Sequence, residues 1–163
     1  MSTKWLKAKW WSWLARRKAR QRDYRSALIY CSRLLSVVPE WSCVHSYIGY
    51  CHTELGQREE AVKAYDRALQ IRPNSAYARA QLGSSFVQLG RYRQGIEDLN
   101  RAFRMEPKLR ETWNYQAALA DAFTQLGQIE EALDVYKEAA GASSAVRRRA
   151  LRSGVDVVPF GKL

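Results

Sequence analysis

The chain has 163 residues, 47% of them hydrophobic, enough for one domain with a core of its own. No apolar run reaches the roughly 18 residues that a membrane span needs, and Lys4, Lys7 and Lys9 break the N-terminal stretch that a secretion leader would use, so a cytoplasmic protein is expected. The net charge of +11 is unevenly spread: residues 1–34 hold ten Lys or Arg against Asp23 alone, 141–163 hold five against Asp156, and the stretch between them is close to neutral.

From Lys4 to Lys18 the cations alternate with aromatics, and four of the six tryptophans fall within nine residues. At about 100° per residue, Trp11, Leu14 and Ala15 share one helical face, while Leu6, Trp10 and Trp13 cluster on another that has no partner nearby in the sequence. Further on, three sets of landmarks recur every 34 residues. Gly49 returns as Gly83, Leu55-Gly56 as Leu89-Gly90, and Pro39 as Pro73 and Pro107. Between them lie two predicted helices per unit, the second carrying a small residue (Ala61, Gly95) and a larger apolar one four positions on (Tyr65, Leu99), then the proline that stops it. A fixed period of this size marks units that bury their apolar faces only by stacking.

This pattern resembles the tetratricopeptide repeat, a helix–turn–helix unit of the same length. Four copies are expected, at about 8–41, 42–75, 76–109 and 113–146. In the fourth, Leu126-Gly127 comes 37 residues after Leu89-Gly90, so three residues are inserted near Arg110-Glu111-Thr112, lengthening either the first helix of that repeat or the loop before it. The resemblance implies an all-α, right-handed solenoid. A short basic capping helix is expected after it, over Ser144–Leu151, and then an apolar tail, Val155 to Phe160; the array is assigned to 1–146 and the cap and tail to 147–163.

The resemblance also implies a concave groove, lined by the first helix of each repeat, that holds a protein or peptide. The matching positions are Arg16 and Arg20, then Ser46 and Tyr50, Tyr77 and Ser84, and Asn114 and Asp121, with Cys43, Ala80 and Val87 on the same faces. Family members that grip chaperone C-termini use a clamp of Lys, Asn and Arg. Ser12, Arg16, Tyr47, Tyr77 and Gln81 stand at those positions here, or one repeat later Ser46, Tyr50, Gln81, Asn114 and Ala118, and neither set can form it. A second candidate surface is the N-terminal face of Lys4, Trp5, Lys7, Lys9, Trp10, Trp13 and Arg17. Indoles with flanking cations suit an anionic membrane surface or a membrane-protein complex. Nucleic acid fits this face less well, because no recognisable binding module accompanies it. Packing on the first repeat and the solenoid end is the remaining role of this face; a homo-oligomer is a further partner open to the chain as a whole.

Chemistry-bearing motifs are sparse. His45 and His52 lie seven apart on one helical face at packing positions, and the three cysteines are expected to be reduced and buried as small hydrophobes. No zinc spacing, phosphate loop or nucleophile elbow is found, so neither metal nor cofactor nor catalytic residue is assigned. The function expected is a non-enzymatic scaffold or adaptor in an assembly at an anionic or membrane surface. The alternatives are a nucleic-acid adaptor using the basic ends and a chaperone for an exported or membrane client.

Overall fold

The computed structural model describes the backbone of residues 3–152 and the side chains of residues 5–141. Among these, every regular element is helical: α1 (Thr3–Arg20), α2 (Tyr24–Leu35), α3 (Ser42–Glu54), α4 (Arg58–Ile71), α5 (Ala76–Gln88), α6 (Tyr92–Met105), α7 (Trp113–Gln125) and α8 (Ile129–Arg152). The odd-numbered helices are the first helices of four repeats, and each packs against the even-numbered helix that follows it.

The turn within each repeat follows from one backbone device. Gly56, Gly90 and Gly127 take positive φ of 73°, 75° and 75°. The amides that close each turn point back into the preceding helix. Gly56 N–H donates to Thr53 O and Gln57 N–H to His52 O, and the same pair of bonds recurs at Gly90 with Arg91 and at Gly127 with Gln128. This is the Schellman arrangement, which satisfies carbonyls that a helix end leaves open. In the first repeat the left-handed position falls to Arg22, at φ 59°, with Arg22 N–H donating to Ala19 O and Asp23 N–H to Lys18 O. Asp23 then caps α2 by accepting from Ser26 N–H at 3.1 Å, and Lys18 lies 3.1 Å from its carboxylate. The hydrogen bonds and the ammonium hold the Asp23 carboxyl below its ordinary range.

Close helix pairing depends on the small residues that recur in the period, glycine or alanine. A Cβ on Gly83 would stand 3.0 Å from Gly95 O and from Leu99 Cγ, and one on Gly95 would stand 2.5 Å from Val87 Cγ2. Core clusters then join the second helix of one repeat to the first helix of the next. Tyr65, Ala68 and Leu69 of α4 meet Ala78, Leu82 and Phe86 of α5, and Leu99, Ala102 and Phe103 of α6 meet Tyr115 and Leu119 of α7.

Two expectations are resolved by the backbone. The three inserted residues go into the lead-in to the fourth repeat, a 3-10 turn over Pro107–Glu111, and α7 keeps the 13 residues of α3 and α5. The separate capping helix is corrected: Ser144–Leu151 is the continuation of α8, which runs unbroken for 24 residues through the boundary assigned at 146. No proline interrupts it and the sequence is rich in Ala and Arg, both strong helix formers. The side chains of Arg147, Arg148, Arg149 and Arg152, and the whole of the tail from Val155 to Phe160, lie outside the described residues.

Candidate functional site

The first helices α1, α3, α5 and α7 turn one face each toward a common groove. Their side chains recur there at i and i+4, the spacing that keeps neighbours on one side of a helix. Three depressions follow one another along it. The first, about 650 Å³, is lined by Lys9, Ser12, Arg16 and Arg20 of α1, by Trp5, Trp13 and Arg17 at its rim, and by Trp41. The second, about 400 Å³, lies among Ser46, Tyr47 and Tyr50 of α3, Arg72, and Tyr77 of α5. The third, about 600 Å³, runs from Tyr50, Glu54 and Tyr77 past Gln81 and Ser84 to Asn114 and Asp121 of α7. Tyr50 and Tyr77 wall both of the last two, so these form one channel.

All eight groove positions expected from the sequence therefore line these depressions. Ala80 does not, being fully buried beneath them, and Val87 contributes only an edge. Trp41 and Arg72 line the groove without having been singled out. Trp41 stands at the start of α3 rather than within the helical register, and only the stacking of α3 on α2 brings it beside Trp5 and Trp13.

The groove changes character along its length. Its first depression carries four guanidinium or ammonium groups and no carboxylate, while Glu54 and Asp121 stand in the third. Tyrosines make its middle. Tyr47 and Tyr50 lie 5.9 Å apart between ring centres, and Tyr24 meets Tyr50 edge-on at 6.0 Å. Tyr24 donates to Glu54 Oε2 at 3.0 Å, and its hydrogen bonds, first with Tyr50, push its own ionisation upward. Burial pushes the Tyr47 hydroxyl up to about 12. Tyr77 is half exposed and accepts from Gln81 Nε2 at 2.8 Å.

On α1 the indoles divide. Trp11 packs against the core with Ala8 and Ala15, whereas Trp5, Trp10 and Trp13 are 49%, 59% and 48% exposed and Leu6 54%. Trp10 and Trp13 stack at 5.2 Å, Lys9 sits 4.6 Å over Trp5, and Arg17 lies 5.2 Å over Trp13. Lys7 is exposed outside the groove, and the Lys4 side chain lies outside the described residues.

Two expectations for the minor residues change. Cys31 and Cys51 are buried but Cys43 is exposed, because it occupies the groove face of α3. His45 and His52 are half-buried rather than core, each bonded back to a neighbouring turn: His45 to Pro39 O at 3.0 Å and His52 to Gln57 Oε1 at 2.8 Å. Among the described residues no three metal-ligating side chains converge and no helix is long and apolar enough to cross a membrane.

Models of the tetratricopeptide repeat match residues 14–76, 48–126 and 114–145, in register with this architecture. The chain belongs to the tetratricopeptide-repeat family. Solved structures with the same fold include a crystal structure of MamA, 15% identical with a TM-score of 0.76 over 86% of this chain and 81% of that one. MamA from Desulfovibrio magneticus RS-1 is 20% identical, with a TM-score of 0.75 over 83% of this chain and 75% of that one. An O-GlcNAc transferase mutant from Thermobaculum terrenum, 24% identical with a TM-score of 0.67, aligns to 76% of this chain but only 23% of its own. At these identities the likeness is one of fold. No match was found among curated protein sequences. As a tetratricopeptide-repeat protein the chain is a protein-interaction scaffold, its stacked helices presenting a continuous surface.

Proposed function

We propose that this chain is a non-enzymatic scaffold whose groove takes an extended segment of a partner protein, with its basic first repeat turned toward an anionic surface of an assembly or membrane. The channel between Tyr50 and Tyr77 carries this reading. Two half-buried to exposed rings flank it, and side chains that both donate and accept hydrogen bonds, Ser46, Gln81, Ser84 and Asn114, run along its wall. An extended peptide brings unpaired backbone N–H and C=O groups that such a wall can satisfy, and aromatic anchors in partly desolvated pockets supply most of the affinity in interfaces of this kind.

The charge gradient would orient the segment, acidic end toward Arg16 and Arg20. It also supports the second part of the reading: Lys9, Arg16, Arg17 and Arg20 form one cationic cluster that no carboxylate of the first depression offsets. Each cation near an anionic surface contributes about 1 kcal/mol.

The test of the groove is partner capture from the native host by the parent chain and by a Tyr50→Ala, Tyr77→Ala variant. Loss of two hot-spot rings should weaken capture by roughly thirtyfold or more, from about 2 kcal/mol or above. Melting should stay close to that of the parent. Partners that all survive the double change would place binding outside the groove. For the basic repeat, co-sedimentation with anionic but not neutral vesicles is expected, weakening as salt rises. A preference for single-stranded RNA or DNA that collapses by orders of magnitude between about 50 and 200 mM salt would replace this part with the nucleic-acid reading.

A further inference from the structure

Among the described residues, two apolar faces are exposed at opposite ends of the stack, and the repeat itself says what each matches. Trp10 corresponds, one repeat at a time, to Val44, Ala78 and Tyr115. Those three are 7%, 0% and 5% exposed because each packs backward, into the cluster it shares with the preceding repeat. Trp10 holds the same position in α1, and it is 59% exposed.

The other end mirrors this. On α8, Ile129, Leu133 and Tyr136 are 52%, 51% and 38% exposed. Leu133 corresponds to Val62 and Ile96, which pack against the clusters that the following repeat completes. Tyr136 corresponds to Tyr65 and Leu99, both fully buried in them. The exposed face of α1 is thus the backward half, and that of α8 the forward half, of a junction the molecule builds three times internally, between α2 and α3, α4 and α5, and α6 and α7.

Charge matches the two halves as well. From Thr3 to Arg20 the first helix has no acid, and Lys7 and Arg17 flank its exposed indoles. Between Ile129 and Gly141 the exposed charges of α8 are Glu130, Glu131 and Asp134 against Lys137, with Glu138 paired to Arg110 at 2.9 Å. Opposite potentials on complementary apolar faces give a junction both register and speed of encounter.

We infer that the face of α1 bearing Trp10 and Trp13 is a docking surface for a second copy of this chain, stacking head to tail on Leu133 and Tyr136 of α8 as a further repeat. The interface is heterologous, so each dimer keeps one free face of each kind and association continues into a ring or a filament. The groove of one copy then runs on into that of the next.

The full chain is followed by sedimentation velocity from low to high micromolar concentration, as the parent, as Trp10→Asp and as Leu133→Asp. The parent should gain mass with concentration and lose that gain in high salt. Either variant alone should stay monomeric, its association constant at least about tenfold lower. An equal mixture should form a dimer and stop there, because the intact α1 face of the Leu133 variant meets the intact α8 face of the Trp10 variant. Both side chains are half exposed or more, so far-UV circular dichroism melts should match the parent; if aspartate unfolds the chain, Trp10→Ser and Leu133→Ser make the same comparison. A parent that stays monomeric throughout, including one whose Trp10 face binds vesicles instead, overturns the inference. So does parent-strength association of Leu133→Asp, or a mixture that gives no dimer.

Discussion

Arg22 is the only non-glycine at positive φ among the described residues. Its three counterparts in the later repeats are glycines, which reach that region without the clash a Cβ makes with the neighbouring carbonyl. Arg22→Gly should therefore stabilise the chain, by about 0.5–1 kcal/mol once the greater freedom of glycine in the unfolded state is subtracted, and urea unfolding reads it directly. The opposite sign is expected at Gly83. There even a methyl group would meet the Gly95 carbonyl and Leu99 at 3.0 Å, so Gly83→Leu should cost about 1–3 kcal/mol or more by forcing α5 from α6. Equal melting temperatures of that variant and the parent would mean that the two helices do not approach as closely as this.

The seam between α2 and α3 contains ionisable groups that are buried neutral. Burial pushes the Cys31 thiol up to about 12 and the Cys51 thiol up to about 11, and Tyr47 beside them up to about 12. Each holds its proton more tightly folded than unfolded. Their contribution is fully present below about pH 8.5, where an unfolded thiol is still protonated. Above that, unfolded thiols ionise while the folded ones do not until pH 11–12, so each thiol removes up to about 1.4 kcal/mol per pH unit. Denaturant unfolding should show stability falling steadily from pH 8.5 to 10.5. Cys31→Ala should be less stable at pH 7, from the cavity it leaves, and should fall less steeply with pH. The exposed Cys43 should react with iodoacetamide in the folded chain, and Cys31 and Cys51 only on unfolding.

Across the whole molecule, helices touch mainly their sequence neighbours, so stability is close to a sum of repeat and junction contributions and fraying starts where a junction is missing. Amide exchange should be slowest in α4, α5 and α6, which have partners on both sides, and faster in α1 and along α8. If α1 and α8 gain protection as protein concentration rises, the two open faces are meeting. If protection is uniform along the chain at low concentration, the repeats unfold as one unit instead.

Much of this was legible in the sequence because the forces concerned are local. A glycine ends the first helix of most repeats, a proline follows the second, and small residues mark where two helices touch, so the 34-residue period carried the helix pairs and the stacking, while the groove positions on the odd-numbered helices came from the family resemblance. Exposure is a different kind of property. Trp10 and Val44, or Tyr136 and Leu99, hold equivalent positions, yet one of each pair is open and the other buried, because burial depends on whether a neighbour is stacked there. For the same reason Trp41 joined the groove and the inserted residues became a 3-10 turn only once the helices were stacked: each outcome rests on contacts between residues that meet only in three dimensions.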